Sequence, residues 1–382
     1  MTDTVGEASV KQNVSPVPLS GPYLGEREEE LVLDVLRSGR LSLGPTTDRF
    51  EELFAARVGA PYAAAVSSGT SGLHLLCVMA GIGPGDEVIT SPYSFAASAN
   101  CFVYEGGVPV FADIDPRTLN LDPAAVEAAI TPRTKAIVAV DIYGYPCELD
   151  ELRALADRHG LALIQDSCEA LGAEYRGAPI GAHGTSCVFA FYPNKQMTTG
   201  EGGIVTTHSE EEYRLLRSLR NQGRGDSGGW LEHVRLGYNY RLDDIRAALG
   251  IGQVERLDEI LALRSDVARR YDELLGGIDS VELPCADDAD HRRSWFVYVV
   301  LLPDNETRER VIGVFEREGI GFNRYLPSIH LQPYMRDAYG FREGLCPVSE
   351  ATSARSLALP FFTALEADAQ ERVAEVLASA LA

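Results

Sequence analysis

Short apolar runs alternate with helical patterns along most of the chain. Residues 87–90, 108–111, 135–140 and 161–165 are rich in β-branched and other apolar side chains and read as strands, while 94–104 and 149–159 carry helical spacing between them. Asp122 stands where it caps a helix with Pro123 in the first position, and Gly160 follows the last residue of another. Strands that are apolar throughout and alternate with helices predict an α/β fold, a mainly parallel sheet sandwiched by helices. Around residue 243 the pattern changes. Ile245, Leu249, Ile260, Leu263, Val267, Tyr271 and Leu274 recur near helical spacing and predict a long amphipathic link to a smaller α+β C-terminal domain, in which 294–302 reads as a strand. The expected division is a polar, proline-containing tail over 1–20, a large domain over 21–250 and a small one over 251–382. No internal repeat or low-complexity segment interrupts it.

One residue stands out against this pattern. The chain holds three lysines (Lys11, Lys135 and Lys195) against 31 arginines, and Lys195 lies in an uncharged aromatic and glycine-rich stretch between Phe189 and Gly203. Arginine stays protonated and forms no imine, whereas a lysine in low-dielectric surroundings gives up its proton and becomes a nucleophile or base. Lysines elsewhere are mostly solvated charges, but this context points to Schiff-base chemistry. The flanking letters read as strand, tight loop, strand: 188–192 is apolar and aromatic, Pro193 and Asn194 stop it, Thr198 to Gly203 supplies glycines, and 204–207 resumes. Lysine at a strand end is where α/β folds carry chemistry.

Two further signals precede it. Asp166 ends the apolar run 161–165, and a carboxylate there suits a pyridinium nitrogen, which it would keep protonated; equally, it suits a helix N-cap. Ser67, Ser68, Gly69, Thr70 and Ser71 form a small-residue turn opening an apolar helix. Free amides at such a start make a phosphate cradle, with the Thr70 and Ser71 hydroxyls as added donors, although many capped helices bind nothing.

In the order phosphate turn, Asp, Lys, the chain resembles the DegT/DnrJ/StrS family of sugar aminotransferases, pyridoxal phosphate (PLP) enzymes of the aspartate-aminotransferase fold type. The resemblance runs from Gly39 through the Gly81-to-Ile89 stretch to Pro360, and Lys195 followed by Thr199, Gly200, Glu201, Gly202 and Gly203 is its most specific part. It implies that Lys195 forms the Schiff base, that Asp166 pairs with the pyridine nitrogen, that Gly69 and Thr70 hold the phosphate and that Phe95 stacks on the ring. It further implies a homodimer with shared sites, in which Asn239 reaches the partner's cofactor phosphate with Arg241 nearby, and a substrate-facing Tyr325. Six arginines between 214 and 241 against Asp226 and Glu232 form a local excess of positive charge suited to an anionic ligand, with Arg214 and Arg217 also readable as a solvated helix face. Three positions depart from the family pattern: Ala190 replaces a phosphate-binding serine, Glu169 a glutamine beside the PLP hydroxyl, and Gln222 a frequent histidine. Relatives that act as dehydratases carry histidine in place of the lysine, so Lys195 points to transamination. The implied reaction carries an amino group from an amino acid, glutamate first, to a keto-sugar, nucleotide-linked; a keto-cyclitol acceptor is the alternative, and a non-catalytic regulator of the same fold the alternative from another class.

Composition bounds the rest. With 382 residues and 45% hydrophobic content the chain buries a large core, and a net charge of −22 argues against nucleic acid. Seven cysteines, widely spaced and without a Cys-x-x-Cys pair, read as reduced buried thiols of a cytoplasmic protein. Seven histidines show no metal-ligand spacing, so no metal is expected. No signal-peptide pattern and no apolar run of about 18 residues point to secretion or a membrane span.

Overall fold

Seven strands build the expected sheet: β1 (Tyr62–Val66), β2 (Glu87–Thr90), β3 (Val108–Phe111), β4 (Thr134–Val140), β5 (Ala162–Asp166), β6 (Ser186–Ala190) and β7 (Gly203–Thr207). They are described by a computed structural model covering residues 15–225 and 232–382. The spatial order is β1-β7-β6-β5-β4-β2-β3. From β6 to β3 every pairing is parallel, and only β7 runs against its neighbours β6 and β1. Successive strand residues point to opposite faces, and both faces are covered. Ala65, Ile89, Ile137, Ala139, Phe189 and Ile204 enter one buried cluster, while Ala64, Val66, Val88, Val138, Val188 and Val205 enter the other.

Several predicted bounds move for local reasons. The helix expected over 94–104 starts at Ala97, because Ser91 and Ser94 spend their hydroxyls in the preceding turn, on Tyr93 N–H and on Ser98. The long amphipathic stretch is two helices, Asp244–Glu255 and Leu257–Leu275. Asp243 caps the first, and Arg256 leaves helical geometry between them with its guanidinium on Glu28. The strand expected over 294–302 contracts to β8 (Tyr298–Leu301), since the carbonyls of Trp295 and Phe296 accept from the buried Arg264 guanidinium at 2.8 and 2.6 Å instead of from a strand. β8 pairs antiparallel with β9 (Ser356–Leu359), and a third buried cluster containing Val267, Tyr271, Val311, Phe315, Val373 and Leu377 packs with them. Of the expected tail, residues 15–20 are not loose: Val17 is buried and bonds through its backbone to Gly319 and Gly321. Residues 1–14, with Lys11, lie outside the described residues. All seven cysteines are free thiols, Cys168 and Cys285 half-buried and the others buried.

Beyond β4, the buried Asp141 carboxylate fixes the end of β5. It accepts from Gln165 Nε2 at 3.0 Å, Ser167 Oγ at 2.6 Å and Cys147 N–H at 2.9 Å. Gln165 and Ser167 flank Asp166, so holding them on one face turns Asp166 to the other. Burial pushes the Asp141 carboxyl from 3.8 up to about 6, against these hydrogen bonds. A folded-state value above the unfolded one contributes stability that is complete below the unfolded value and is lost as pH rises through about 6. In urea unfolding of Asp141→Asn and the parent chain, the stability difference should therefore shift by about 2 to 3 kcal/mol in favour of the variant between pH 4 and pH 7. Parallel stability curves across that window would contradict the assignment.

Candidate active site

The registers of β1, β7, β6 and β5 bring four chain ends to one sheet edge. Gly203, first in β7, lies opposite both Val66 and Ala190, the last residues of β1 and β6, while the parallel pairing of β5 with β6 sets Asp166 opposite Val188. Around this edge lies a cavity of about 500 Å³. Its walls include seven residues singled out from the sequence: Gly69, Thr70, Phe95, Asp166, Glu169, Lys195 and Tyr325.

Lys195 sits on the loop between β6 and β7, half-buried, with Nζ 3.8 Å from the Phe296 ring centroid and 3.4 Å from Glu169 Oε1. The loop is tied down around it. Thr198 and Thr199 both bond to the Phe191 carbonyl at 3.0 Å, and Gln196 Nε2 donates to the Glu169 carbonyl at 2.5 Å. Tyr192, Asn194 and Lys195 of this loop line the cavity, and Lys195 brings its amine there.

Asp166 is buried, with Oδ2 accepting from Ser98 Oγ at 2.7 Å and Oδ1 from Cys168 N–H at 3.2 Å. No helix begins there, so the N-cap alternative fails and the carboxylate faces the cavity. The Glu169 carboxyl is pushed above its ordinary range by burial, against the pull of Lys195. Its Oε2 accepts from Tyr143 N–H at 2.9 Å, and Tyr143 holds a left-handed φ of 54°. The Tyr143 hydroxyl donates to Tyr93, which donates to the Tyr325 carbonyl.

The turn after β1 forms as a cradle, with one correction. Ser68 caps the helix Gly69–Met79, but the Ser71 hydroxyl is spent in the capping box on Ser68 and does not line the cavity. The glycines are demanded by close approach. A Cβ on Gly69 would stand 2.7 Å from Ala190 Cβ, and one on Gly203 would stand 2.6 Å from the Ser68 carbonyl carbon. The first-turn amides of the helix have no acceptor within it. A phosphate cradle, a buried carboxylate, a lysine amine and a cavity of this size walled in part by Phe95, Tyr192, Phe296 and Tyr325 fit pyridoxal phosphate.

Asn239 and Arg241 do not line the cavity of their own chain. Asn239 is exposed, and Arg241 Nη1 donates to Asn221 Oδ1 at 2.9 Å. The basic stretch is also less free than its letters imply, because Arg214 pairs with Glu210, Arg217 with Asp48 and buried Arg220 with Glu51. Asp226 lies outside the described residues. Some residues that shape the site escape a reading of the sequence. Ser98 and Phe296 reach the site only through tertiary structure, and Asn194, whose buried Oδ1 has no partner, was readable merely as the residue beside Lys195. Among the described residues, no His/Cys/Asp/Glu group is arranged to hold a metal ion and no helix is long and apolar enough to cross a membrane.

This edge of a mainly parallel sheet, with its lysine and carboxylate, defines a pyridoxal-phosphate-dependent aminotransferase of fold type I. The chain belongs to the DegT/DnrJ/EryC1/StrS aminotransferase family, which matches residues 22–378. It is 38% identical over 374 residues to the spore coat polysaccharide biosynthesis protein SpsC of Bacillus subtilis, covering 94% of this chain and 96% of that protein. Among solved structures, S. venezuelae DesV superposes with a TM-score of 0.88 at 35% identity, over 95% of this chain and 98% of that one. The putative sugar aminotransferase Spr1654 of Streptococcus pneumoniae, in its PLP form, gives 0.91 at 27% identity over 96% and 99%. The protein is thus an enzyme of the sugar aminotransferase type, and the alternative of a non-catalytic regulator falls.

Proposed function

We propose that the enzyme transfers an amino group from an amino acid, L-glutamate first, to the ketone of a nucleotide-linked sugar in amino-sugar biosynthesis, and that it works as a homodimer with shared sites in the cytoplasm. The observation that carries the reading is the single amine of Lys195, held at a cavity edge with Asp166 and the Gly69 turn and open on one side. When bound, PLP supplies an aldehyde for an amine and a ring that draws electron density from the adjoining carbon. Gly69 and Thr70 hold the phosphate through first-turn amides and the Thr70 hydroxyl. Asp166, oriented by Ser98, would hold a proton at the ring nitrogen. Phe95, 67% exposed at the cavity wall, would cover the ring of the bound cofactor, and Glu169 would serve its hydroxyl. Lys195 carries the proton to and from the substrate carbon, as a base positioned within reach must. Tyr325, linked through its hydroxyl to Asn194 Nδ2 at 3.4 Å, lies on the acceptor side. On this reading residues 21–250 carry the cofactor, 251–382 form the smaller domain, and Asn239 and Arg241 complete the partner's site.

Glutamate added to the loaded enzyme should abolish its visible absorption, and a keto-sugar acceptor should restore it. Asp166→Asn should retain the cofactor yet slow the glutamate step by roughly two to four orders of magnitude. A near-normal rate would show Asp166 to be structural only.

Sharing of sites has its own test. Lys195→Ala and Asn239→Asp chains, each impaired alone, should regain part of the activity when dissociated and reassembled together, since one site of the mixed dimer then holds neither lesion. No recovery despite proven mixing, or a fully active monomer in sedimentation, would overturn the shared site.

A further inference from the structure

Asn239 sits between two tyrosines whose side chains are clamped from behind. The segment is extended: Tyr238 N–H donates to the Leu219 carbonyl at 2.6 Å, Tyr240 N–H to Arg220 at 2.9 Å, and the Tyr238 carbonyl accepts from Gln222 at 2.8 Å. Alternation then puts residues 238 and 240 on one side and 239 on the other. The two rings stack at 5.1 Å with 14° between their planes. Asn239, opposite, is exposed, and so stands on the face that Arg241 shares.

Behind the rings lies a polar chain that no step above uses. His74 is buried on the helix Gly69–Met79, with Nε2 2.6 Å from Glu105 Oε1 and Nδ1 3.1 Å from the Tyr240 hydroxyl. The Tyr238 hydroxyl donates to the same Glu105 oxygen at 3.1 Å. With Nε2 donating to Glu105, Nδ1 accepts from Tyr240, and each donor has one acceptor. Burial, reinforced by Glu105, pushes the Tyr238 phenol up to about 12, so it remains a donor. Tyr104 adds an edge against the His74 ring at 5.4 Å.

We propose that His74 and Glu105 are positioning residues for cofactor binding, clamping the Tyr238 and Tyr240 hydroxyls so that Asn239 is presented to the phosphate of the partner's site. The inference rests on the shared-site reading above and adds the device that aims the shared residue. It also ties two phosphates together. The helix whose first turn cradles one phosphate carries, further along, the histidine that holds the segment serving the other. Loosening the clamp leaves the backbone bonds of the segment in place but frees the side-chain face that keeps Asn239 turned outward.

The test compares binding of pyridoxal 5′-phosphate and phosphate-free pyridoxal to the apo-dimer, read by absorbance titration, with sedimentation to confirm the dimer. Tyr238→Phe/Tyr240→Phe keeps both rings and removes only the two hydroxyls. It and Glu105→Ala should weaken binding of the phosphate form roughly tenfold, as expected for losing one hydrogen bond to a charged group, while pyridoxal binding stays within about twofold. Glu105→Gln keeps an acceptor for His74 and Tyr238 and should restore the preference. Asn239→Ala separates the two ideas. If it loses the preference for the phosphate form while the double phenylalanine variant keeps it, the clamp is wrong and the shared site stands. If Asn239→Ala keeps the preference, the shared phosphate contact fails and the clamp with it. Equal weakening for both ligands would reduce His74 and Glu105 to ordinary packing and overturn the proposal.

Discussion

The site depends on one constraint, the register of four strands at a single sheet edge. β7 runs antiparallel between β1 and β6, so its first residue, Gly203, lies beside the last residues of both, and the parallel β5 brings Asp166 to the same edge. A slip of one residue in β5 would turn Asp166 to the opposite face, because side chains alternate with a period of two. Asp141 guards against that slip by holding Gln165 and Ser167 on the far side. The glycines serve the same closeness: with any Cβ at Gly203, β7 and the turn after β1 could not approach as they do.

The edge gathers charges that would be costly elsewhere. Asp166 and Glu169 are both buried, and the Lys195 amine stands 3.4 Å from Glu169 Oε1. Removing one partner of such a buried pair costs far more than an exposed ion pair is worth, because the other charge is left without compensation. The left-handed Tyr143 that serves Glu169 adds backbone strain to the same spot. Charged groups and strain gathered at one strand-end cavity suit a site shaped for a charged ligand. The surrounding chain, with its net charge of −22, pairs Arg214, Arg217 and Arg220 internally.

How much of this was legible in the sequence follows from the range of each interaction. The alternating sheet, Lys195 in its glycine-rich loop and the turn at Gly69 are local patterns, and all three are where the letters put them. Asp166 read equally as a helix cap until the absence of a helix after β5 decided it. Ser71 looked like a free hydroxyl because capping geometry is not visible in composition. Ser98, Phe296 and Tyr143 were silent: each meets the site through a contact between residues far apart in the chain, and nothing in their own neighbourhoods marks them. The pairing of Arg217 and Arg220 within the 214–241 stretch was hidden for the same reason, since Asp48 and Glu51 lie far upstream.

The central claim is that Lys195 is the amine that carries the cofactor. Borohydride reduction of the loaded enzyme fixes the pyridoxyl group to whichever amine holds it, and peptide mapping then reads the position. The account predicts label at Lys195 and nowhere else. Label at Lys135 or Lys11, or an enzyme that keeps its cofactor with no lysine labelled, would contradict it.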